Sequence, residues 1–383
     1  MRILHLCLSA FFIDNYSYQE NMLAKYHVMQ GHEVTVIASL FTFDKDGCGR
    51  YFPNASTYQD KNGFKVIRLA YRKPVRWNKV FRHYIGFKES LDAVHPDVIF
   101  VHNASFGDTP IIRRYLKKHK EVRLYADSHT DYINSAHNWL SKHILHPVIW
   151  RHYTKILEPY MIKYYGVTPL RCRFLKEVYR VNPDIVEYLP LGVDDDLIPS
   201  NREEVRRRVR QELMLNEDDF LVFTGGKIDK LKNTHVLIDA LSRLNDPKLH
   251  LVICGVLTPQ MEYLKGSIDA NTHIHYLGWC DAERVMNCMV ASDLACFPGT
   301  HSTLWEQSVG VGLPAIFKRW PEMEHVSVNG NCTFVDSDDV DELANMIAKV
   351  MDSDNYMNMK SLAKEAAKQF LYSEIAKNAI ETI

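Results

Sequence analysis

The stretch MRILHLCLSA (1–10), followed by YQENMLAKYHVMQGH (18–32) and EVTVIAS (33–39), places a helical pattern between two short apolar runs. Apolar runs of this length without polar alternation are typical of strands buried on both faces of a parallel sheet. Two adjacent parallel strands need a crossover connection between them. The first 39 residues therefore predict a β-α-β unit.

The same rhythm continues to the end of the chain. Further strand-like runs are KVIRLAY, PDVIFVHN, VRLYADSH and KYYGVTP in the first half, and FLVFTGG, LHLVICG, IHYLGW, DLACFPG and LPAIFK in the second. This alternation predicts an α/β protein with two Rossmann-like domains whose parallel sheets face a central cleft. The Pro-, Gly- and Asp-containing stretch EYLPLGVDDDLIPSN (187–201) marks the boundary. We predict an N-terminal domain over 1–187, a C-terminal domain over 188–360, and a terminal helix over 361–383 that crosses back to the first domain.

The composition is that of a folded protein, with 383 residues, of which 46% are hydrophobic and 24% charged. No apolar run reaches the roughly 18 residues that span a bilayer, and MRILHL is better interpreted as a first strand than as a signal peptide. Single, scattered cysteines favour buried thiols in a reducing compartment over disulfides or a zinc site. They are cysteines 7, 48, 172, 254, 280, 288, 296 and 332.

The net charge of −1 hides a strong asymmetry between the two halves. Residues 1–185 contain 27 Lys and Arg against 16 Asp and Glu, while residues 186–383 contain 19 against 31. A basic half favours an anionic partner, such as a membrane surface, a nucleic acid or a phosphorylated substrate. A simple difference between domains is the alternative.

Polar residues that follow strands are the first candidates for a site, because ligands bind at the carboxyl ends of strands in open α/β sheets. After FLVFT come Gly225 and Gly226, which allow close backbone approach, and then Lys227 and Lys232. Two lysines beside a glycine pair and a helix start suit a diphosphate. A solvated basic loop is the alternative interpretation.

The stretch FPGTHSTLWEQSVGVGLPAIF (297–317) follows another strand and contains one acid, Glu306. A helix beginning near Leu304 would offer free N–H groups to an anion, with the hydroxyls of Ser302 and Thr303 beside them. A carboxylate there could accept hydrogen bonds from vicinal hydroxyls such as those of a ribose. The two loops together predict a nucleoside diphosphate site. A capping box of Glu306 with Ser302 or Thr303 is the alternative.

The order and spacing of LPLGVD, FTGGKIDKLKN, YLGW, ASDLACFPG and WEQSVGVGLPAI resemble those of a retaining glycosyltransferase. Nearly the whole chain resembles family 4 glycosyltransferases of the GT-B fold, of the type that builds bacterial polysaccharides and glycoconjugates. The N-terminal β-α-β pattern and the segment NGNCTFVDSDDVDELANMI (329–347) are similar to segments of that family. The resemblance implies a nucleotide-sugar donor, UDP- or GDP-linked, bound by the C-terminal domain.

The resemblance assigns roles to residues of the second half. Lys227 stands where the family has an Arg that grips the diphosphate, and Lys232 matches the family's Lys. Glu306 matches the second of two glutamates, the one that binds the ribose hydroxyls. The first glutamate would fall at position 298, which is Pro298 here. Either His301 or Ser302 replaces it, or the loop has another shape, and the transferred sugar is therefore open.

Candidate residues of the first half follow the strand VRLYADSH. Asp127 and His129 alternate at its end, and His129 matches the family's histidine near the sugar donor and acceptor, with Asp127 orienting it or binding the acceptor. A buried structural histidine is the alternative for His129. Tyr18, Gln19 and Asn103 are candidate acceptor contacts. The basic, aromatic segment 72–88 suits anionic lipid headgroups, and an ordinary solvated helix is its alternative.

The resemblance implies a retaining, metal-independent glycosyltransferase without a cofactor that moves a sugar from its nucleotide carrier to a glycan or lipid-linked acceptor. Metal independence is implied by the resemblance. No nucleic-acid partner is expected, because no recognised binding motif is present. The expected location is the cytoplasm, at the inner face of a membrane. A GT-B epimerase acting on a nucleotide sugar and a non-catalytic nucleotide-binding module are the alternatives.

Overall fold

The structure is a computed structural model, and it describes residues 1–44, 49–133, 135–136 and 138–380. The chain divides into two compact units: residues 1–190 together with the C-terminal end of the chain from Ile375, and residues 191–374. Cys48 lies outside the described residues. The other seven cysteines are free thiols, and five of them are buried.

The first unit is built on an eight-stranded sheet in the order β10-β9-β8-β7-β1-β2-β6-β5, in which only β5 runs antiparallel to its neighbour. A short antiparallel pair, β3 and β4, lies apart from it. The strands are β1 Arg2–Cys7, β2 Glu33–Ser39, β3 Phe41–Phe43, β4 Gly49–Tyr51, β5 Ser56–Gln59, β6 Lys65–Leu69, β7 Val98–His102, β8 Arg123–Ser128, β9 Met161–Gly166 and β10 Val186–Tyr188.

Helices connect these strands as the sequence pattern predicts. They are α1 Gln19–Met29, α2 Val75–Phe81, α3 Phe87–Val94, α4 Thr109–Lys118, α5 Arg151–Leu157 and α6 Pro169–Glu177, with a π-helical segment at Ser141–Trp150 and 3-10 turns at Glu158–Tyr160 and Pro183–Ile185. The basic segment 72–88 is not one continuous helix. The chain forms the short α2, an antiparallel bridge between Tyr71 and Tyr84, and then α3.

The second unit contains a six-stranded, fully parallel sheet in the order β13-β12-β11-β14-β15-β16. Its strands are β11 Phe220–Ile228, β12 Leu249–Leu257, β13 Ile274–Gly278, β14 Leu294–Phe297, β15 Ala315–Lys318 and β16 Cys332–Val335. Its helices are α7 Arg202–Glu212, α8 Thr234–Leu244, α9 Leu264–Asp269, α10 Ala282–Ala291, α11 Leu304–Val311, α12 Val340–Met351 and α13 Ser353–Ala366, with 3-10 turns at Asp195–Leu197, Lys230–Lys232, Pro259–Met261, Glu324–Val326 and Ala367–Phe370.

The end of the chain is not the single helix expected over 361–383. Helix α13 ends at Ala366, a 3-10 turn follows, and α14 (Tyr372–Ala379) begins after a break. The break arises because the chain becomes extended beside Val193, whose N–H donates to the Phe370 carbonyl and whose carbonyl accepts from Tyr372. Two consecutive backbone hydrogen bonds to another segment replace helical ones here.

Successive side chains along each strand point to opposite faces of the sheet, and both faces are buried. In the second unit, Phe223 packs into one apolar cluster and its neighbour Val222 into another. In the first unit, Leu4, Leu6 and their partners on β7 and β8 face one core. The intervening positions therefore point to the opposite face. Those positions are His5 on β1, His102 on β7 and Asp127 on β8, and each is completely buried.

Candidate functional site

Two glycines shape the end of β11 in the second unit. A Cβ on Gly225 would lie 2.5 Å from the carbonyl oxygen of Cys254 on β12, so a side chain is excluded there. Gly226 has φ +102°, a conformation that favours glycine. Its Cβ position would lie 3.6 Å from Leu304 and 3.9 Å from Ser302 Oγ. The backbone at the end of β11 therefore lies directly against the start of α11.

The two predicted lysines have different surroundings. Lys232 Nζ donates hydrogen bonds to the carbonyls of Thr300 (2.8 Å) and His301 (2.9 Å), and burial lowers its pKa. An ammonium has three donors, so one remains for a ligand. Lys227 is exposed to solvent at the end of β11. Lys232 thus fixes the neighbouring loop, whereas Lys227 extends into water from β11.

The loop between β14 and α11 is fixed against the loop after β11. Asn233 Nδ2 donates to the Pro298 carbonyl (3.1 Å), and the N–H of Thr300 donates to the Leu231 carbonyl (2.9 Å). A Cβ on Gly299 would lie 2.3 Å from the Leu231 carbonyl oxygen, which only glycine avoids. Pro298, where the resemblance expects a glutamate, is buried within this contact. The loop is therefore held by its backbone rather than by a carboxylate.

Glu306 is completely buried and lies between two imidazoles. Its Oε1 accepts hydrogen bonds of 2.8 Å from Nε2 of His301 and of 2.8 Å from Nε2 of His325, while Oε2 has no hydrogen-bond partner among the residues that the structure describes. Burial opposes ionisation, yet the His301 charge and the two hydrogen bonds outweigh it, so the pKa of Glu306 lies well below its ordinary value. Glu306 is a carboxylate with one committed oxygen and one that can accept further hydrogen bonds.

The start of α11 excludes the capping-box alternative. Thr303 is the N-cap residue and makes no side-chain cap, and Glu306 bonds to histidines instead of the helix start. Ser302 Oγ accepts a weak bond of 3.4 Å from the N–H of Leu304. Trp305 is fully buried and stacks on Phe317, with 4.6 Å between ring centroids, as expected for a core residue. The first turn of α11 is thus available to a ligand on the side of the glycine pair.

In the first unit, a line of buried polar side chains crosses the sheet. Asp127 Oδ2 lies 2.7 Å from His102 Nδ1, and His102 Nε2 lies 3.0 Å from His5 Nδ1. His5 Nε2 lies 3.0 Å from Nδ1 of His27 on α1, whose Nε2 lies 2.9 Å from the Ala376 carbonyl. Parallel pairing in register places His102 beside Asp127 on one face, which explains their contact.

His129 lies at the exposed end of this line. Its Nε2 is 3.6 Å from Asp127 Oδ2 and 3.9 Å from Glu20 Oε1. Burial lowers the pKa of His129, but the charges of Asp127 and Glu20 outweigh it and raise the pKa overall. The pKa of Asp127 lies well below its ordinary value, because the two neighbouring imidazoles outweigh the effect of burial. The two predicted residues are therefore adjacent and carry opposite charges when both are ionised.

The three predicted acceptor residues lie near His129 in different environments. Asn103 has φ +60°, and its Oδ1 accepts from the His129 N–H (3.1 Å), so it fixes the loop that carries His129. Gln19 is buried, and neither polar atom of its amide has a partner within the described part of the chain. Tyr18 is the partly exposed N-cap residue of α1. Contact of these residues with an acceptor stays a prediction.

Among the described residues, two groups of side chains each bring three potential metal ligands within 4.8 Å of one another. In each group some ligand atoms already make hydrogen bonds: both nitrogens of His102 are engaged, and two imidazoles share one oxygen of Glu306. A metal would have to replace these bonds. The groups are Glu20 with His102 and His129, and Glu306 with His301 and His325.

The basic segment 72–88 exposes apolar side chains next to its cations. None of the residues of α2 is buried, and Trp77 is 61% exposed. Arg82 is not a surface cation of this kind, because its guanidinium donates to Ser9 Oγ and the Ser105 carbonyl. No helix within the described ranges is long and apolar enough to cross a bilayer.

Four further histidines, which were not predicted from the sequence, complete these clusters. His325 is 19 positions from Glu306, and nothing in the local pattern links the two. His102 begins a stretch that follows a predicted strand, which was a usable signal. His5 and His27 also gave a signal, a polar residue within a buried apolar pattern, whose partner only the fold reveals.

Comparison with known families gives a match for the second unit. Residues 205–370 match the family described as "Glycosyl transferases group 1". A D-inositol 3-phosphate glycosyltransferase of Stackebrandtia nassauensis is 34% identical over 95 residues, which are 23% of this chain and 20% of that protein. The chain thus matches about a fifth of the length of this curated relative.

Solved structures resemble the whole chain. A glycosyltransferase from Rickettsia africae has a TM-score of 0.66 and 14% identity, covering 98% of this chain and 96% of that one. Alr3699/HepE of Anabaena, solved in complex with UDP, has a TM-score of 0.67 and 16% identity, covering 99% and 98%. At such identities the likeness establishes the fold, which is α/β with the two Rossmann-like domains of GT-B glycosyltransferases.

Proposed function

We propose that this protein is a retaining, metal-independent glycosyltransferase of family 4 that transfers a sugar from a UDP- or GDP-linked donor to a glycan or lipid-linked acceptor. In this proposal the second unit binds the nucleotide sugar, and the first unit binds the acceptor and supplies His129 and Asp127. Because the relatives are partial or distant, the activity, the substrates and the partners are all part of the proposal.

The observation that carries the proposal is the state of Glu306. A buried carboxylate normally uses both oxygens, since an unmet acceptor costs about 1–3 kcal/mol. Here Oε1 is committed to His301 and His325, and Oε2 has no hydrogen-bond partner in the described chain. Two vicinal hydroxyls of a ribose would supply donors to this carboxylate, as the resemblance implies. The two histidines keep it ionised and fix its orientation.

The surroundings of Glu306 suit the rest of a nucleoside diphosphate. The Gly226 backbone lies against the start of α11, where free N–H groups attract phosphate. Lys232 keeps one N–H donor for this place, and Lys227 adds an exposed cation. These groups would stabilise the negative charge that develops on the leaving diphosphate. The proposed reaction needs no metal because the cations come from the chain itself.

In the first unit, His129 is the proposed polar contact to the reacting sugars. It is partly exposed, and its backbone is held by Asn103. Asp127 lies behind it, fully buried, and would orient it rather than contact the acceptor. Gln19 and Tyr18 are the proposed acceptor contacts. The unpartnered amide of Gln19 supports this, because a sugar hydroxyl can both donate to it and accept from it.

Calorimetric titration with UDP, GDP, ADP and their sugars tests the proposal. One nucleoside diphosphate should bind, and Glu306→Ala should weaken it by roughly 1–3 kcal/mol. Asp293→Asn is the matched control, because Asp293 is a buried carboxylate of the same unit that bonds to Arg206 and Arg210. It should lower stability and leave nucleotide binding intact. Equal binding by wild type and Glu306→Ala would contradict the ribose assignment.

Product analysis separates glycosyl transfer from the two alternatives. Acceptor-dependent transfer with retained anomeric configuration supports the proposal. Epimerised free nucleotide sugar without an acceptor would indicate an epimerase. Nucleotide binding without any turnover would indicate a binding module, for which the proline at the position of the first family glutamate is the supporting feature.

We further propose that the enzyme works in the cytoplasm at an anionic membrane surface. The exposed Trp77 and Val80 lie beside the exposed cations Arg76 and Lys79, which suits a lipid headgroup layer. Cosedimentation with phosphatidylglycerol vesicles should exceed that with phosphatidylcholine vesicles, and Trp77→Ala should reduce it. Trp279→Ala, which removes an even more exposed Trp of the other unit, is the control. Equal losses with both variants would contradict a specific surface.

A further inference from the structure

The line of histidines behind His129 has a defined direction. It starts at the Ala376 carbonyl, which can only accept a hydrogen bond. His27 Nε2, at 2.9 Å, must therefore carry a hydrogen. In a neutral imidazole the other nitrogen is then an acceptor. His27 Nδ1 accordingly accepts from Nε2 of His5, at 3.0 Å.

The same reasoning passes along the line. With its Nε2 donating, a neutral His5 must accept at Nδ1, so Nε2 of His102 donates to it at 3.0 Å. Burial keeps both inner rings neutral: it holds the pKa of His5 well below its usual range and, against the bond to Ala376, lowers the pKa of His27 to about 4. Every bond from the carbonyl to His102 is thus fixed in one direction.

The direction determines the proton count at the end of the line. Nε2 of His102 already carries a hydrogen, and Nδ1 of the same ring lies 2.7 Å from Asp127 Oδ2. A bond at this distance needs a proton between the two atoms. The pair is therefore an imidazolium with a carboxylate or a neutral imidazole with a carboxylic acid. In both forms its net charge is zero, whereas His102 as a neutral Nδ1–H donor would leave a net charge of −1.

We propose that His27, His5 and His102 are positioning residues that form a one-directional hydrogen-bond chain from the Ala376 carbonyl, retain one additional proton at Asp127, and so set the charge that faces His129. The existence and direction of this hydrogen-bond chain rest only on the contacts above. Its consequence for turnover rests on the proposed function. Through these hydrogen bonds, the charge at His129 also depends on α1 and on the C-terminal end of the polypeptide. No local sequence motif contains this dependence.

Other titratable or charged groups surround this chain. Glu20 faces His129 from α1 at 3.9 Å. Others are His32 after α1, Cys7 on β1, Tyr164 on β9 and Arg171 on α6. Tyr165 on β9 is the strand partner of Asp127. None of them takes part in the hydrogen bonds that fix the direction, so the proton count holds whatever their charge.

Nitrogen NMR of the histidine side chains in the full chain tests the proposal directly. In wild type, His27 and His5 should each show a protonated Nε2 and a bare Nδ1 that do not titrate around neutral pH, and His102 should show hydrogens at both nitrogens or a shared one at Nδ1. A protonated Nδ1 with a bare Nε2 on His27 or His5 would overturn the proposal, and this needs no variant.

Two substitutions of His5 sharpen the test. His5→Gln keeps one donor and one acceptor and should preserve the His102 pattern. His5→Leu removes both, so His102 should become a neutral Nδ1–H donor with a bare Nε2. The pair then carries −1, and the pKa of His129 should rise by about one pH unit. An unchanged His102 pattern in His5→Leu would overturn the proposal.

A matched control separates the chain from general destabilisation. His146 is also a buried histidine of the first unit, bonded to the Tyr179 hydroxyl at 2.8 Å and outside the chain. His146→Leu should leave the signals of His102 and His129 unchanged, and a change would overturn the proposal. With a sugar donor identified, the pH profile of turnover should move upward in His5→Leu and not in His5→Gln. If the NMR pattern is as expected but neither wild type nor any variant transfers sugar, the hydrogen-bond chain is supported and the proposed function is contradicted.

Discussion

Glu306 in the second unit and Asp127 in the first are both completely buried carboxylates that face two imidazoles. Around Glu306 the cluster is local, because both histidines bond to the same oxygen and the partly exposed His301 lies only five positions away. Behind Asp127 the bonds continue through His102 to two further histidines. The charge of Glu306 is balanced by histidines of nearby segments, whereas the charge balance at Asp127 depends on residues from distant parts of the sequence.

The largest expected effects are on the unfolding free energy of variants that remove each carboxylate, alone or together with one of its histidines. Glu306→Leu and Asp127→Val should each cost about 3–5 kcal/mol of unfolding free energy, since each leaves buried imidazoles without their counter-charge. Adding His325→Leu to Glu306→Leu should recover part of the loss, because His301 is partly exposed and can reach water. Adding His102→Leu to Asp127→Val should not, because His5 Nδ1 then lacks a donor. Chemical denaturation measures all four.

If both double variants regained the same share of the lost unfolding free energy, both clusters would be local. The single variants His325→Leu and His102→Leu serve as controls, since they give the cost of each histidine by itself and allow the coupling to be calculated.

Acid should distinguish the two clusters by the pH at which stability is lost. His27 has a pKa lowered from 6.5 to about 4, so the unfolded chain binds the proton more readily and stability falls as pH drops through this window, by about 3 kcal/mol in total. Glu306 has a lowered pKa too, and its contribution is lost only below its ordinary value of 4.5.

His27→Gln keeps a donor for Ala376 and an acceptor for His5 without titrating. Its unfolding free energy should therefore fall less between pH 6.5 and about 4 than that of wild type. Glu306→Gln should leave the slope between pH 6.5 and 4.5 unchanged, because the Glu306 contribution is lost only below 4.5. Denaturant titrations at several pH values measure both. Parallel curves for wild type and His27→Gln would contradict the neutral state of His27.

The contrast also explains what the sequence could predict. The parallel sheets follow from apolar runs, which are local. Gly225, Gly226, Lys232 and Glu306 lie in the segments at or after the ends of two of these runs, so the strand order identifies them. The partners of the carboxylates could not be predicted in the same way. His5 meets His102 through strand pairing across 97 positions, and His27 meets Ala376 across 349. Such contacts depend on sheet order and register, which periodicity does not contain.

The single helix predicted at the end of the chain was wrong for a related reason. The pattern after position 355 is helical by composition, and it predicts one helix. The break at Leu371 comes from a backbone bridge to Val193, a tertiary contact that overrides helix propensity. In the basic segment 72–88, the bridge between Tyr71 and Tyr84 likewise separates α2 from α3.

The local cluster around Glu306 should be sensitive to the fit of its two loops. Gly299→Ala places a Cβ 2.3 Å from the Leu231 carbonyl and should cost about 1–3 kcal/mol of stability while weakening nucleotide binding. Gly266→Ala is the matched control, because a Cβ there meets nothing within 4 Å and the helix α9 gains from alanine. Thermal unfolding and calorimetry measure both effects. A Gly299→Ala protein as stable as wild type would show that the loops are not tightly fitted.

The smallest effects should separate the two lysines of the site. Lys232→Met removes two hydrogen bonds to loop carbonyls and should cost about 1 kcal/mol of stability, whereas Lys227→Met should stay within about 0.5 kcal/mol because Lys227 is exposed. Both should weaken nucleoside diphosphate binding, and the contribution of Lys227 should fall with added salt. Lys227→Arg should preserve binding, since a guanidinium can hold a phosphate with two parallel bonds. If Lys227→Met binds as well as wild type at low salt, the diphosphate is held by α11 and Lys232 alone, and the site around Glu306 is still more local than its loops suggest.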